Sequence, residues 1–78
     1  MANGSIPTPP NISQALGSTG QTVKNAQGLL LAHGNDPQGI DGIFGNNTTA
    51  ATKAFQKAQG LTTDGAIGQN TWTNLVIN

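Results

Sequence analysis

The sequence predicts an all-α fold, a small three-helix bundle with two repeated loop–helix units. Three observations carry this expectation. Apolar residues recur at helical spacing in three segments, and glycine-rich turns separate them. The element Asp-Gly-x-x-Gly occurs twice, at Asp41 and at Asp64, and each copy runs into a helical segment. The chain of 78 residues has room for one domain and no more.

Residues 1–14 read as a flexible tail or linker ahead of a domain over 15–78. Asn3, Gly4, Ser5, Pro7, Thr8, Pro9, Pro10 and Asn11 show no helical or strand period, and Pro9-Pro10 favours extended backbone. From Thr22 the pattern changes. Val23, Ala26, Leu30 and Leu31 mark one apolar face of a first helix. Gly28 inside it costs ~1 kcal/mol relative to Ala, which reads as room for close helix packing. His33 falls in the last turn, where positive charge suits the helix dipole. Gly34 supplies the stop, with Asn35, Asp36 and Pro37 beyond it.

A loop over 35–45 contains the tight-turn signal Asp41-Gly42. The second helix is expected over 48–59, with Ala51, Ala54, Phe55 and Ala58 on its core face. Gly60-Leu61 reads as a Schellman end, with the glycine left-handed and the leucine packed back on the last turn. A second loop over 62–69 contains Asp64-Gly65. A short third helix over 70–76 places Trp72, Leu75 and Val76 where they close the core.

The repeated loops have structural chemistry. Asp41 and Asp64 can accept backbone N–H bonds that hold a turn. Gly42 and Gly45, like Gly65 and Gly68, permit backbone conformations closed to other residues. Asn47-Thr48 and Asn70-Thr71 can cap the helices that follow. Phe44 and Ile67 anchor the loops in the core. Alanine at Phe44, Phe55 or Trp72 should cost ~3–5 kcal/mol, enough to unfold so small a domain.

Composition narrows the function. Three lysines and three aspartates give a formal charge of zero, and 8% charged residues cannot form the basic patch that nucleic acid or an anionic membrane surface demands. No apolar run reaches the ~20 residues of a membrane helix, and the N-terminus lacks the basic and apolar regions of a signal peptide. There is no cysteine, which removes thiol chemistry and cysteine-based zinc sites. His33, the single histidine, has no nucleophile in a recognisable arrangement, and Asp36, Asp41 and Asp64 form neither a glycosidase pair nor a calcium loop. No catalytic residue, cofactor or metal is expected. Polarity here comes from Asn, Gln and Thr, which suits a neutral hydrogen-bonding ligand as well as simple solubility.

The candidate ligand contacts are polar residues near the loop–helix junctions: Gln27, His33, Asn35, Asn46, Asn47, Gln56, Gln69 and Asn70. Amides both donate and accept, matching acetamido groups and peptide stems. The alternative for Gln27 and Gln56 is that they bond to loop backbone, and for Asn46, Asn47 and Asn70 that they only cap helices.

These residues also carry a family resemblance. Gly17-Ser18-Thr19-Gly20, Val23, Gln27, Leu30, Gly34 and Asp41-Gly42-Ile43-Phe44-Gly45 are followed by Thr48, Ala51, Phe55-Gln56, Gly60-Leu61, Asp64-Gly65-Ala66-Ile67-Gly68, Thr71-Trp72 and Leu75. As a set, running from Gly17 to the C-terminus, they resemble the peptidoglycan-binding domain of bacterial and phage cell-wall hydrolases. Ala26 and Thr52 depart from the usual Leu and Val. Gln14 stands where an apolar residue is usual. The resemblance implies a non-catalytic, monomeric three-helix module. Its partners would be peptidoglycan, through glycan strand or peptide stem, and a covalently linked catalytic domain, in an extracellular or wall-associated setting. The alternative is a protein–protein or assembly module that has the fold without wall affinity. The related prodomain of matrix metalloproteases uses a cysteine switch, which this chain lacks.

Overall fold

The computed structural model describes residues 14–77; of the expected tail over 1–14, residues 1–13 lie outside them. Three helices follow in order: α1 over Gln21–Ala32, α2 over Asn46–Gln59 and α3 over Gln69–Ile77. α1 packs against both of the others. No helix among the described residues is long and apolar enough to cross a membrane.

The first two helices end where a glycine stops them. At the end of α1, Asn35 N–H donates to Leu30 O at 2.9 Å, and at the end of α2, Leu61 N–H donates to Gln56 O at 2.8 Å. These are the long-range bonds of Schellman ends, and Gly60 sits at φ 72. The beginnings differ from expectation. α2 starts at Asn46, ahead of Thr48, with Gly45 as its N-cap and no side-chain cap bond. Thr48 is therefore not a cap. Its hydroxyl turns inward, as described below.

One core joins all three helices and both loops. Val23, Ala26 and Leu30 from α1, Ala51 and Phe55 from α2, and Trp72 and Leu75 from α3 enclose Phe44 and Ile67 from the loops. Leu29 and Val76 pack against its margin. Trp72 is 3% exposed, and its indole N–H is buried without a hydrogen-bond partner among the described residues. Its large apolar area, rather than a polar contact, accounts for its place.

Three expectations about the helix faces need correction. Leu31 is 46% exposed, because it lies past the edge of the stripe formed by Val23, Ala26, Gln27 and Leu30. Ala54 and Ala58 are exposed. The buried stripe of α2 is instead Thr48, Ala51, Thr52, Phe55 and Gln56, an i, i+3, i+4, i+7, i+8 pattern in which three members are polar. Gly28 has open space where a Cβ would stand, so close helix packing does not require a glycine there.

The segment before α1 ties the loops together. Gln14 exchanges backbone bonds with Ile67, at 3.0 Å and 2.7 Å. Gly17 N–H donates to Phe44 O, Phe44 N–H to Ser18 O, and Gly20 N–H to Gly42 O, each at 2.9 Å. Gln14 is itself buried, so the folded unit already includes this residue, one position before the expected boundary.

Candidate ligand-binding site

The geometry of both loop–helix junctions starts from one buried glutamine each. On α1, Gln27 is 1% exposed. Its Oε1 accepts the Gly42 N–H at 2.9 Å. Its Nε2 faces Asp41 Oδ1 at 3.1 Å, Ile43 O at 3.0 Å and Thr48 Oγ1 at 3.0 Å. On α2, Gln56 does the same for the second loop. Its Oε1 accepts the Gly65 N–H at 3.0 Å, and its Nε2 faces Asp64 Oδ1 at 2.9 Å, Ala66 O at 2.8 Å and Thr71 Oγ1 at 3.1 Å. Carboxylate and carbonyl oxygens only accept, and a backbone N–H only donates, so each amide can face its loop in one orientation.

Each aspartate closes the turn from the other side. Asp41 Oδ1 accepts the Ile43 N–H at 2.9 Å, and Asp64 Oδ1 accepts the Ala66 N–H at 3.0 Å. These backbone bonds, followed by the glutamine amide, hold both carboxyls below their ordinary value of 3.8. Both are therefore ionised at neutral pH. The following glycines are left-handed, Gly42 at φ 77 and Gly65 at φ 80. Each also lies under a lysine: an added Cβ would come within 3.2 Å of Lys24 at Gly42 and within 3.0 Å of Lys53 at Gly65. The expectation that the second glycine of each loop needs the same freedom does not hold for Gly45. It is extended, at φ −103, and has space for a Cβ.

This network places the candidate contacts in two groups. Gln27 and Gln56 are buried, with their amides engaged by the loops, which is the alternative the sequence offered for them. His33 is half-buried. Its Nε2 lies 3.0 Å from Leu75 O, and its ring lies 5.1 Å from that of Phe55. A carbonyl cannot donate, so Nε2 carries the hydrogen, and the ring ties the end of α1 to α3. Asn35 reaches back to His33 O at 3.4 Å. Of the candidate contacts, the exposed amides are Asn46, Asn47, Gln69 and Asn70.

Each pair of exposed amides borders an open concavity. The first, about 370 Å³, is lined by Asn46 and Asn47 together with Pro37, Gln38, Gly39, Asp41 and Ile43. The second, about 260 Å³, is lined by Gln69 and Asn70 together with Leu61, Thr62, Asp64 and Ala66. Sequence reasoning missed Pro37, Gln38, Gly39 and Ile43 as lining residues. The turn at Gln38 is held by Asp36, whose Oδ1 accepts the Gln38 N–H at 2.7 Å. Among the described residues there is no cluster of three or more metal-ligating side chains.

Comparison with known proteins agrees with this architecture. An uncharacterised protein of Kitasatospora aureofaciens is 47% identical over 36 residues, which span 46% of this chain and 30% of that protein. The chain thus spans about a third of the length of the curated relative it matches. The crystal structure of the SleB N-terminal domain superposes with a TM-score of 0.83 at 34% identity, covering 86% of this chain and 92% of that one. The Burkholderia AP3 phage endolysin gives 0.81 at 38% identity, covering 85% of this chain and 25% of the endolysin. The sequence profile of the peptidoglycan-binding domain, a family of non-catalytic binding modules, matches residues 19–75. With the profile spanning nearly all of the described residues, the chain belongs to the peptidoglycan-binding domain family.

Proposed function

We propose that this chain is the module by which a cell-wall hydrolase or related enzyme attaches to bacterial peptidoglycan. The family match over residues 19–75 carries the reading. The endolysin comparison supports a covalent partner, because there the similar part is a quarter of a longer chain. A module of this kind works by tethering. It keeps a linked catalytic domain near an insoluble substrate and raises its effective concentration without taking part in the chemistry. The setting is the wall, outside the cell membrane, and the module acts as a monomer. Ligand contacts fall to exposed groups at the loop–helix junctions, since Gln27 and Gln56 are closed off and His33 is engaged with Leu75.

Co-sedimentation with purified insoluble peptidoglycan, against cellulose as control, tests this. The protein should pellet with peptidoglycan and stay in solution with cellulose. A protein folded by circular dichroism that pellets with neither would overturn the reading and favour a protein–protein or assembly module.

A further inference from the structure

We infer that the first concavity, and not the second, is the ligand site, and that it takes an N-acetylated sugar of the glycan strand rather than a peptide stem. The inference rests on the peptidoglycan reading above and narrows it to one place and one chemical class.

Size separates the two concavities first. Small-molecule sites occupy roughly 300–1,000 Å³. The first concavity, at about 370 Å³, has more room for such a ligand than the second, at about 260 Å³. The wall residues differ as well. Ile43 lines the first and is 56% exposed, whereas Ala66 holds the equivalent place in the second and is half-buried. Gln38 and Gly39 add an exposed rim to the first, above the buried Pro37. The Gln38 backbone is held in the left-handed region at φ 61.

Charge then selects the ligand. The first concavity is lined by one carboxylate, Asp41, and by no cation. Free N–H groups at the start of α2 favour an anion there, but Asp41 already supplies negative charge to the same space. A wall-linked peptide stem carries amines as well as carboxylates, but the carboxylates outnumber them, so Asp41 would on balance repel it. An acetamido sugar is neutral. Its N–H and C=O match the amides of Gln38, Asn46 and Asn47, as a stem's peptide groups also would, so the choice between the two rests on charge. Its methyl is of a size to cover the exposed side chain of Ile43, an apolar surface otherwise left in water.

The test is an amide-resolved NMR titration of the whole chain with three probes: the tetramer of N-acetylglucosamine, cellotetraose, which lacks acetamido groups, and a free stem pentapeptide. The acetylated tetramer should shift Gly39, Ile43, Asn46 and Asn47 and leave Ala66, Gln69 and Asn70 in place. Cellotetraose and the stem peptide should shift neither set. Ile43→Ala should weaken tetramer binding roughly fivefold, as expected for one lost apolar contact. Thr62→Ala, on the rim of the second concavity, should leave it unchanged. Shifts confined to 66–70, or shifts produced by the stem peptide alone, would overturn the assignment. So would silence with all three probes from a protein that still pellets with peptidoglycan, and in that case the attachment role survives. Failure to pellet removes both.

Discussion

In the first loop–helix unit, Gln27 holds an aspartate 14 residues further on; in the second, Gln56 holds one eight residues further on. The bonds at the two ends of these spans are the same. Each glutamine receives a glycine N–H and faces an aspartate, a loop carbonyl and a threonine hydroxyl, all within 3.1 Å. The extra residues of the first unit therefore do not alter its closure. They go instead into the stretch that carries Gln38 and Gly39 onto the rim of the larger concavity. A small domain can keep one closure for stability and vary the loop it encloses.

The comparison is broken most directly at the glutamines. Gln27→Ala strands the buried Gly42 N–H, and Gln56→Ala strands that of Gly65. Leaving a buried group unpaired costs about 1–3 kcal/mol, a large fraction of the stability of a domain this small. Urea unfolding should show both variants destabilised by similar amounts. A loss at one position less than half that at the other would mean the two closures are not energetically equivalent.

A smaller effect of opposite sign is expected on α1. Gly28 follows Gln27, and the residue that follows Gln56 is Lys57. A Cβ at Gly28 would meet nothing within 4 Å, so Gly28→Ala should stabilise by roughly 0.5–1 kcal/mol through reduced freedom of the unfolded chain. A raised melting temperature is the expected reading. A lowered one would show that α1 is packed more tightly at this turn than the geometry indicates.

The smallest effect belongs to the aspartates, both on the surface. Their folded values are depressed, so their contribution is present above the unfolded value of 3.8 and is lost as pH falls through the lower folded values. From these groups, stability should be flat between about pH 7 and 5 and decline below about pH 4. Asp41→Asn and Asp64→Asn should each flatten that acid limb to a similar degree. An acid limb unchanged in the double variant would remove the carboxylates from the account.

Much of the fold was legible in the sequence because its signals are local. Gly34 and Gly60 stop the helices where the spacing placed the stops, and Phe44, Phe55, Trp72 and Leu75 are in the core as expected. The inner face of α2 was legible only in part: Ala51 and Phe55 are buried as expected. An apolar count selects Ala54 and Ala58, but Thr48, Thr52 and Gln56 take inward positions because bonds await them there. The candidate site was legible in part. Asn46 and Asn47 are exposed at a junction as their polarity suggested, while the rim at 38–39 left no periodic trace.

The sequence by itself determined three helices, the glycine stops of the first two, two Asp-Gly turns and the family. These rest on neighbours within a few positions, where backbone preference and side-chain spacing suffice. Tertiary structure alone decided which polar residues turn inward and which face solvent. For Gln27 that depended on Thr48, 21 residues away, and for His33 on Leu75, 42 residues away. A buried amide is stable only where partners from elsewhere in the chain satisfy it, and folding is what brings those partners within reach.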